Sequence, residues 1–166
     1  MAEIIRTFRD VMPAVRFIGK KYTDFDHWGE WFANGWFDAI EAAMGGVEAI
    51  TKIWENGGGY VGLERRRDGA LMEYWIGMFA PAGTAVPETF ASMDFPKTAL
   101  GVCWLYGRES EVHDTSGCLQ ALANHGMEAL PDSAGTIWSF ENCLCPRYTT
   151  PDETQRVILD YCYVVR

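Results

Sequence analysis

From residue 28 onward, apolar side chains recur at helical spacing. Trp28, Trp31, Phe32, Gly35, Trp36, Ala39, Ile40, Ala43 and Val47 share one stripe, whereas Glu30, Asn34, Asp38 and Glu41 fall elsewhere. The pattern predicts one amphipathic helix over 28–47, with Trp31 and Phe32 among the rings that pack on a sheet. Asp26 is placed to cap its start, and Gly45-Gly46 offers a stop.

The period then changes from helical to alternating. Tyr60 to Arg67 and Leu71 to Phe79 read as two strands around Asp68-Gly69, a favoured pair for a tight hairpin. A regular ladder from that turn sets Arg67 opposite Ala70, Glu64 opposite Glu73, Leu63 opposite Tyr74 and Gly62 opposite Trp75. Val61, Leu63, Met72, Tyr74, Ile76 and Met78 would then share the face beneath the helix. Gly62, Glu64, Glu73, Trp75 and Gly77 would share the other, an acidic slot in which two glycines leave room for something flat. The preceding Asn56-Gly57-Gly58-Gly59 lacks the Gly-Lys-Ser/Thr ending of a phosphate loop and reads as a turn.

The second half replays this order: a strand over 97–106, a helix over 116–125 ending at Gly126, and strands over 137–145 and 157–165. Leu119, Leu122, Ala123 and Met127 form the apolar face expected for that helix. The stretch 81–96, with Pro81, Gly83, Pro87 and Pro96, reads as the connection between halves, and 146–151 as a longer loop. The expected architecture is α+β, one domain over 1–166 made of two pseudo-symmetric βαββ repeats, about 1–80 and 90–166. Laying Leu63-Glu64 on Phe140-Glu141, and Glu73-Tyr74 on Asp160-Tyr161, brings carboxylates to matching places. Trp104 and Tyr106 alternate with Cys103 and Leu105, so either pair could face the groove.

Charge narrows the partners. With 14 Lys and Arg against 23 Asp and Glu the net charge is −9, which repels phosphates and favours a cationic ligand over nucleic acid or anionic membranes. No apolar run approaches the roughly 18 residues of a membrane span, and Met1 to Arg6 carries no secretory pattern, so a cytoplasmic location is expected. Five cysteines form no regular framework. Cys143 and Cys145, without a second ligand pair, do not make a metal site, and no cofactor is implied. His27, His113 and His125 lie far apart and read as surface or capping residues rather than catalytic bases.

Phe17-Ile18-Gly19-Lys20, Trp28-Gly29-Glu30-Trp31-Phe32, Tyr74-Trp75-Ile76-Gly77-Met78-Phe79 and Trp138-Ser139-Phe140-Glu141, with the order of elements, resemble the GyrI-like family. The resemblance implies two βαββ units about a pseudo-twofold axis, an antiparallel sheet lining a central ligand groove and helices behind it. It also implies that Glu141 occupies the family's groove-glutamate position. Such domains include effector-binding parts of multidrug-responsive activators, gyrase protectors and stand-alone proteins, some of which hydrolyse cyclopropanoid natural products. Activators also carry a basic helix-turn-helix, which has no counterpart in these residues.

Three functions follow as expectations. One is a hydrolase that opens cyclopropanoid rings, with Glu141 positioning or deprotonating water and the Tyr148 hydroxyl stabilising the leaving oxygen. A second is a non-catalytic multidrug-binding or effector-sensing module that holds flat aromatic cations with Trp75, Glu64, Glu73, Trp104, Tyr106 and Asp160. A third is a gyrase-protecting interaction protein that uses its acidic exterior.

Overall fold

The computed structural model describes residues 1–166. Eight strands form one antiparallel sheet: β1 (Glu3–Met12), β2 (Val15–Tyr22), β3 (Tyr60–Arg67), β4 (Ala70–Pro81), β5 (Ala91–Phe95), β6 (Thr98–Gly107), β7 (Ile137–Cys143) and β8 (Val157–Val164). Their order is β1-β6-β8-β7-β3-β4-β2-β5. The chain is α+β, as expected, and the segment read as a plain connection holds an edge strand, β5, paired with β2.

A single short connection shows how far this sheet curls. β1 and β2 stand six places apart, about 29 Å in a flat sheet, yet only Pro13 and Ala14 join them, a reach of about 11 Å. Phe95 on β5 accordingly meets Trp138 on β7 with ring centroids 5.5 Å apart, although three strands separate theirs. The inner face so enclosed packs Phe17, Val61, Leu63, Trp75, Phe79, Val102, Phe140 and Cys162 into the largest core cluster.

The predicted single helix is three: α1 (Trp28–Asn34), α2 (Trp36–Ala43) and α3 (Glu48–Thr51). Gly35, at φ 65°, ends α1 in the left-handed region and starts α2 at a new angle, and positive φ at Gly45 and Gly46 ends the run again. The turn redirects the stripe. Trp31, Phe37 and Ile40 pack on Ile18, Tyr74, Ile76 and Met78, while Phe32 is left 62% exposed. Asp26 does not cap α1, whose N-cap is His27 without a side-chain bond.

The last helix, α4 (Cys118–Asn124), is shorter than expected. It packs Cys118 and Leu122, with Met127 beyond it, on Cys103, Leu105, Leu159, Tyr161 and Tyr163. Leu119 and Ala123, assigned to its apolar face, are exposed. Both helical groups stand on the outer face of the sheet, α1 and α2 toward β4 and α4 toward β6. They flank a cleft over β3 and β7; they do not lie behind it, because the face behind is taken up by the curled core. No helix is long and apolar enough to cross a membrane.

Candidate ligand groove

One extra residue decides which side chains reach the cleft. The hairpin turn is as expected, with Asp68 and Gly69 both at positive φ and Arg67 opposite Ala70. Beyond it a β-bulge leaves Met72 unpaired, so that Arg66 faces Leu71 and Arg65 faces Glu73. A one-residue slip exchanges the two faces of a strand. Tyr74 therefore lies opposite Glu64 and Trp75 opposite Leu63. Gly62, Glu64 and Tyr74 share the cleft face, whereas Glu73 and Trp75 turn inward or sideways.

Gly62 pairs directly with Glu141 across β3 and β7. A Cβ at Gly62 would stand 2.6 Å from Glu141 Oε1 and 2.8 Å from the Tyr74 hydroxyl. The missing side chain is what lets the carboxylate lie across the strand toward the phenol. Trp28 Nε1 donates to the Tyr74 hydroxyl at 2.7 Å, which leaves the phenol's own proton free. Burial, then the Glu141 charge, pushes the Tyr74 phenol well above its ordinary range, so it stays a neutral donor.

Glu64 is held differently. It accepts from Arg66 Nε at 2.8 Å and from the Tyr161 hydroxyl at 3.2 Å, and Ser139 Oγ lies 3.1 Å from that hydroxyl. Its charge is balanced within the protein, and Tyr161, raised chiefly by burial and next by Glu64, stays neutral.

Two cavities meet at Glu141. One, of about 410 Å³, is lined by Phe25, Trp28, Glu64, Arg66, Tyr74, His113, Thr115, Glu141 and Tyr161. The second, of about 330 Å³, is more apolar, lined by Trp28, Phe32, Tyr60, Glu109, His113, Glu141, Cys143, Tyr148 and Thr149. Trp28, His113 and Glu141 border both. Together they form a groove with an acidic polar half, an aromatic half and a half-buried carboxylate at the join.

His113 is, with Tyr74 and Tyr161, a groove residue that sequence reasoning missed. Buried Val112 anchors the loop between β6 and α4, an Asp114-Ser116 turn folds it back, and His113 projects over the cleft. Its Nδ1 lies 2.8 Å from Glu141 Oε2, and its Nε2 lies 3.5 Å from the Tyr148 hydroxyl. The bond to Glu141 raises the imidazole above its ordinary pKa against the opposing effect of burial. A contact spanning 28 positions between a loop and a strand leaves no periodic trace. His27 instead stacks on Tyr22, and His125 sits against the Ala121 carbonyl.

The structure thus brings Glu141, Glu64 and Tyr148 to the groove and places the other expected contacts elsewhere. Trp75 is 8% exposed in the inner core, set edge-on to Phe17. Glu73 is engaged by Arg65 and Lys21 at 3.5 and 3.9 Å. Trp104 packs on Phe8 and donates to Asp160. Tyr106 bonds Asp152. Asp160, 1% exposed, is held by Arg147 through two bonds of 2.7 Å. All five follow from strand parity: the cleft takes Glu141 from β7 and Tyr161 from β8, so Asp160 and its β6 partner Trp104 fall on the opposite face. Of the dipeptides Glu73-Tyr74 and Asp160-Tyr161, laid on one another in the sequence, it is the tyrosines and not the acids that line the cleft. No cluster of His, Cys, Asp and Glu is arranged to hold a metal.

No protein-family model matches the chain, and no curated protein matches it in sequence. Solved structures do match in fold. SAV2435, in a structure bound to tetraphenylphosphonium, superposes with a TM-score of 0.55 at 11% identity, covering 98% of this chain and 94% of that one. EcmrR, in a complex with DNA, superposes with a TM-score of 0.58 at 8% identity, over 97% of this chain and 57% of EcmrR. The C-terminal domain of EcmrR alone gives 0.50 at 8% identity, with 97% of each chain covered. The chain therefore has the fold of SAV2435 and of the EcmrR C-terminal domain.

Proposed function

We propose that the chain is a GyrI-like small-molecule-binding domain, one unit over 1–166, whose groove holds flat aromatic cations on Glu141. The observation that carries this reading is the place of Glu141: a carboxylate with 18% side-chain exposure at the join of two ring-lined cavities. A cation there gains from a half-desolvated charge and from aromatic faces. The tetraphenylphosphonium bound by SAV2435 is likewise an aromatic cation, though tetrahedral rather than flat. Strand order supports two related halves, since β1 leads into β2 but pairs with β6, and β5 leads into β6 but pairs with β2.

Tetraphenylphosphonium and tetraphenylborate share a shape and differ in sign, which makes them the direct test. The cation is expected to bind about tenfold or more tightly, roughly 1.4 kcal/mol, by calorimetric titration at low salt. The preference should shrink but persist at about 1 M salt, because half-buried charges are screened less than exposed ones. Equal affinities would remove the role given to Glu141.

A hydrolase with Glu141 as base and Tyr148 as donor is the second reading, favoured by the chain of contacts from Glu141 through His113 to Tyr148. Mass spectrometry of a strained-ring ligand recovered after incubation separates the two. A binding module returns the parent mass, and a hydrolase returns the parent plus one water.

A further inference from the structure

His113 stands where an incoming cation would sit. It borders both cavities, and among Lys, Arg and His side chains it alone comes within 4.0 Å of Glu141. Glu64 has Arg66 as its permanent partner, so of the two carboxylates on the sheet Glu141 is the one whose counter-charge can be removed by a change of pH. The other groups around the imidazole are of two kinds. Glu109 on its own loop adds negative charge, and Cys143 and Tyr148 from β7 and the loop after it are held neutral, each chiefly by burial. Across the cleft, Tyr74 and Tyr161 are also neutral, and the Glu64-Arg66 pair balances itself.

Given that the groove binds cations at all, we propose that His113 is a built-in competitor for them: its protonated ring occupies Glu141, and a cation binds in exchange for its proton. The imidazole is 45% exposed at its side chain and sits on a loop, so it can withdraw without disturbing the core. The sign follows from linkage. Glu141 raises the folded pKa of His113, so their pairing contributes fully below the unfolded value of about 6.5 and is lost as pH rises through the folded value. A cation gains what the imidazolium gives up. The groove therefore loads more tightly as pH rises, and a ligand with no charge loads without regard to pH.

Tetraphenylphosphonium, whose charge does not titrate, is the probe. Calorimetry from about pH 6 to about pH 9, in buffers of different ionisation heat, counts the protons released. Wild-type protein is expected to release up to one proton per cation at the acid end and none at the alkaline end, with affinity rising by up to tenfold per pH unit and then levelling. His113→Gln should bind tightly at the acid end and show a flat profile. A flat wild-type profile with measurable binding overturns the exchange alone, and so does a His113→Gln variant that keeps the wild-type slope. A tenfold loss in that variant at the alkaline end shows His113 to be a ligand contact, which also overturns it. Absence of binding at every pH overturns the cation-binding groove and the exchange with it.

Discussion

Trp31→Ala is expected to cost about 3–5 kcal/mol of stability, the range for truncating a buried aromatic ring, whereas Phe32→Ala should cost under about 1 kcal/mol. The two rings are neighbours on one predicted stripe. Trp31 is fully buried, donates from Nε1 to the Tyr22 hydroxyl at 2.8 Å and meets Trp36 and Phe37 at 5.5 and 4.7 Å. Removing it opens a cavity and leaves Tyr22 without its donor. Phe32 stands at the rim of the aromatic half of the groove, so its loss should weaken ligand binding while stability holds. Urea denaturation of both variants beside wild type checks the contrast, and equal costs would mean that the break at Gly35 does not turn Phe32 outward.

The second large effect belongs to Arg147, which sits next to Tyr148 in sequence but reaches the opposite face. Its guanidinium stacks over Trp104 at 4.9 Å and holds Asp160 through Nε and one terminal nitrogen. Breaking a buried pair by removing one partner costs about 3–5 kcal/mol. Arg147→Ala is expected near the lower end, because its side chain keeps 24% exposure while Asp160 keeps 2%. Burial already pushes the Asp160 carboxyl above its ordinary range although Arg147 pulls it down. Without Arg147 burial is opposed only by the hydrogen bond from Trp104, and Asp160 takes up a proton more readily to stay inside.

The pH dependence follows with a definite sign. In the variant the folded pKa of Asp160 lies above the unfolded value of about 3.9, so the folded state binds its proton more tightly. The stability deficit should be small near pH 4, grow as pH rises through the folded value and be complete at neutral pH. Denaturation midpoints across that range, with Arg147→Ala/Asp160→Asn as the variant expected to recover part of the loss, check it. A deficit independent of pH would show that Arg147 acts only by packing.

Local rules carried the sequence reading as far as local rules reach. Alternation placed β3, β4, β6, β7 and β8, and Asp68-Gly69 gave both the hairpin and its first pair, Arg67 with Ala70. Glu64 was legible because β3 was in phase up to the cleft, whereas Glu141 was singled out by the family resemblance and by laying Leu63-Glu64 on Phe140-Glu141. Trp75 and Glu73 were misplaced by Met72, a single bulged residue with no compositional mark. Gly35 lay within the apolar stripe of a helix and was the break in it. Asp160, an acid amid apolar strand residues, looked like a groove charge; its partner Arg147 arrives from a loop, and only the folded chain brings the two together. His113 escaped for the same reason.

Glu141→Gln tests the central claim most directly, since it keeps the shape of the side chain and removes the charge at the join of the two cavities. Titrated with tetraphenylphosphonium near pH 9, where His113 no longer competes, the variant is expected to lose about 1–3 kcal/mol of affinity, roughly 5- to 150-fold. Its affinity for tetraphenylborate should hold or improve. A variant that binds the cation as tightly as wild type would contradict the account and move the cation away from Glu141.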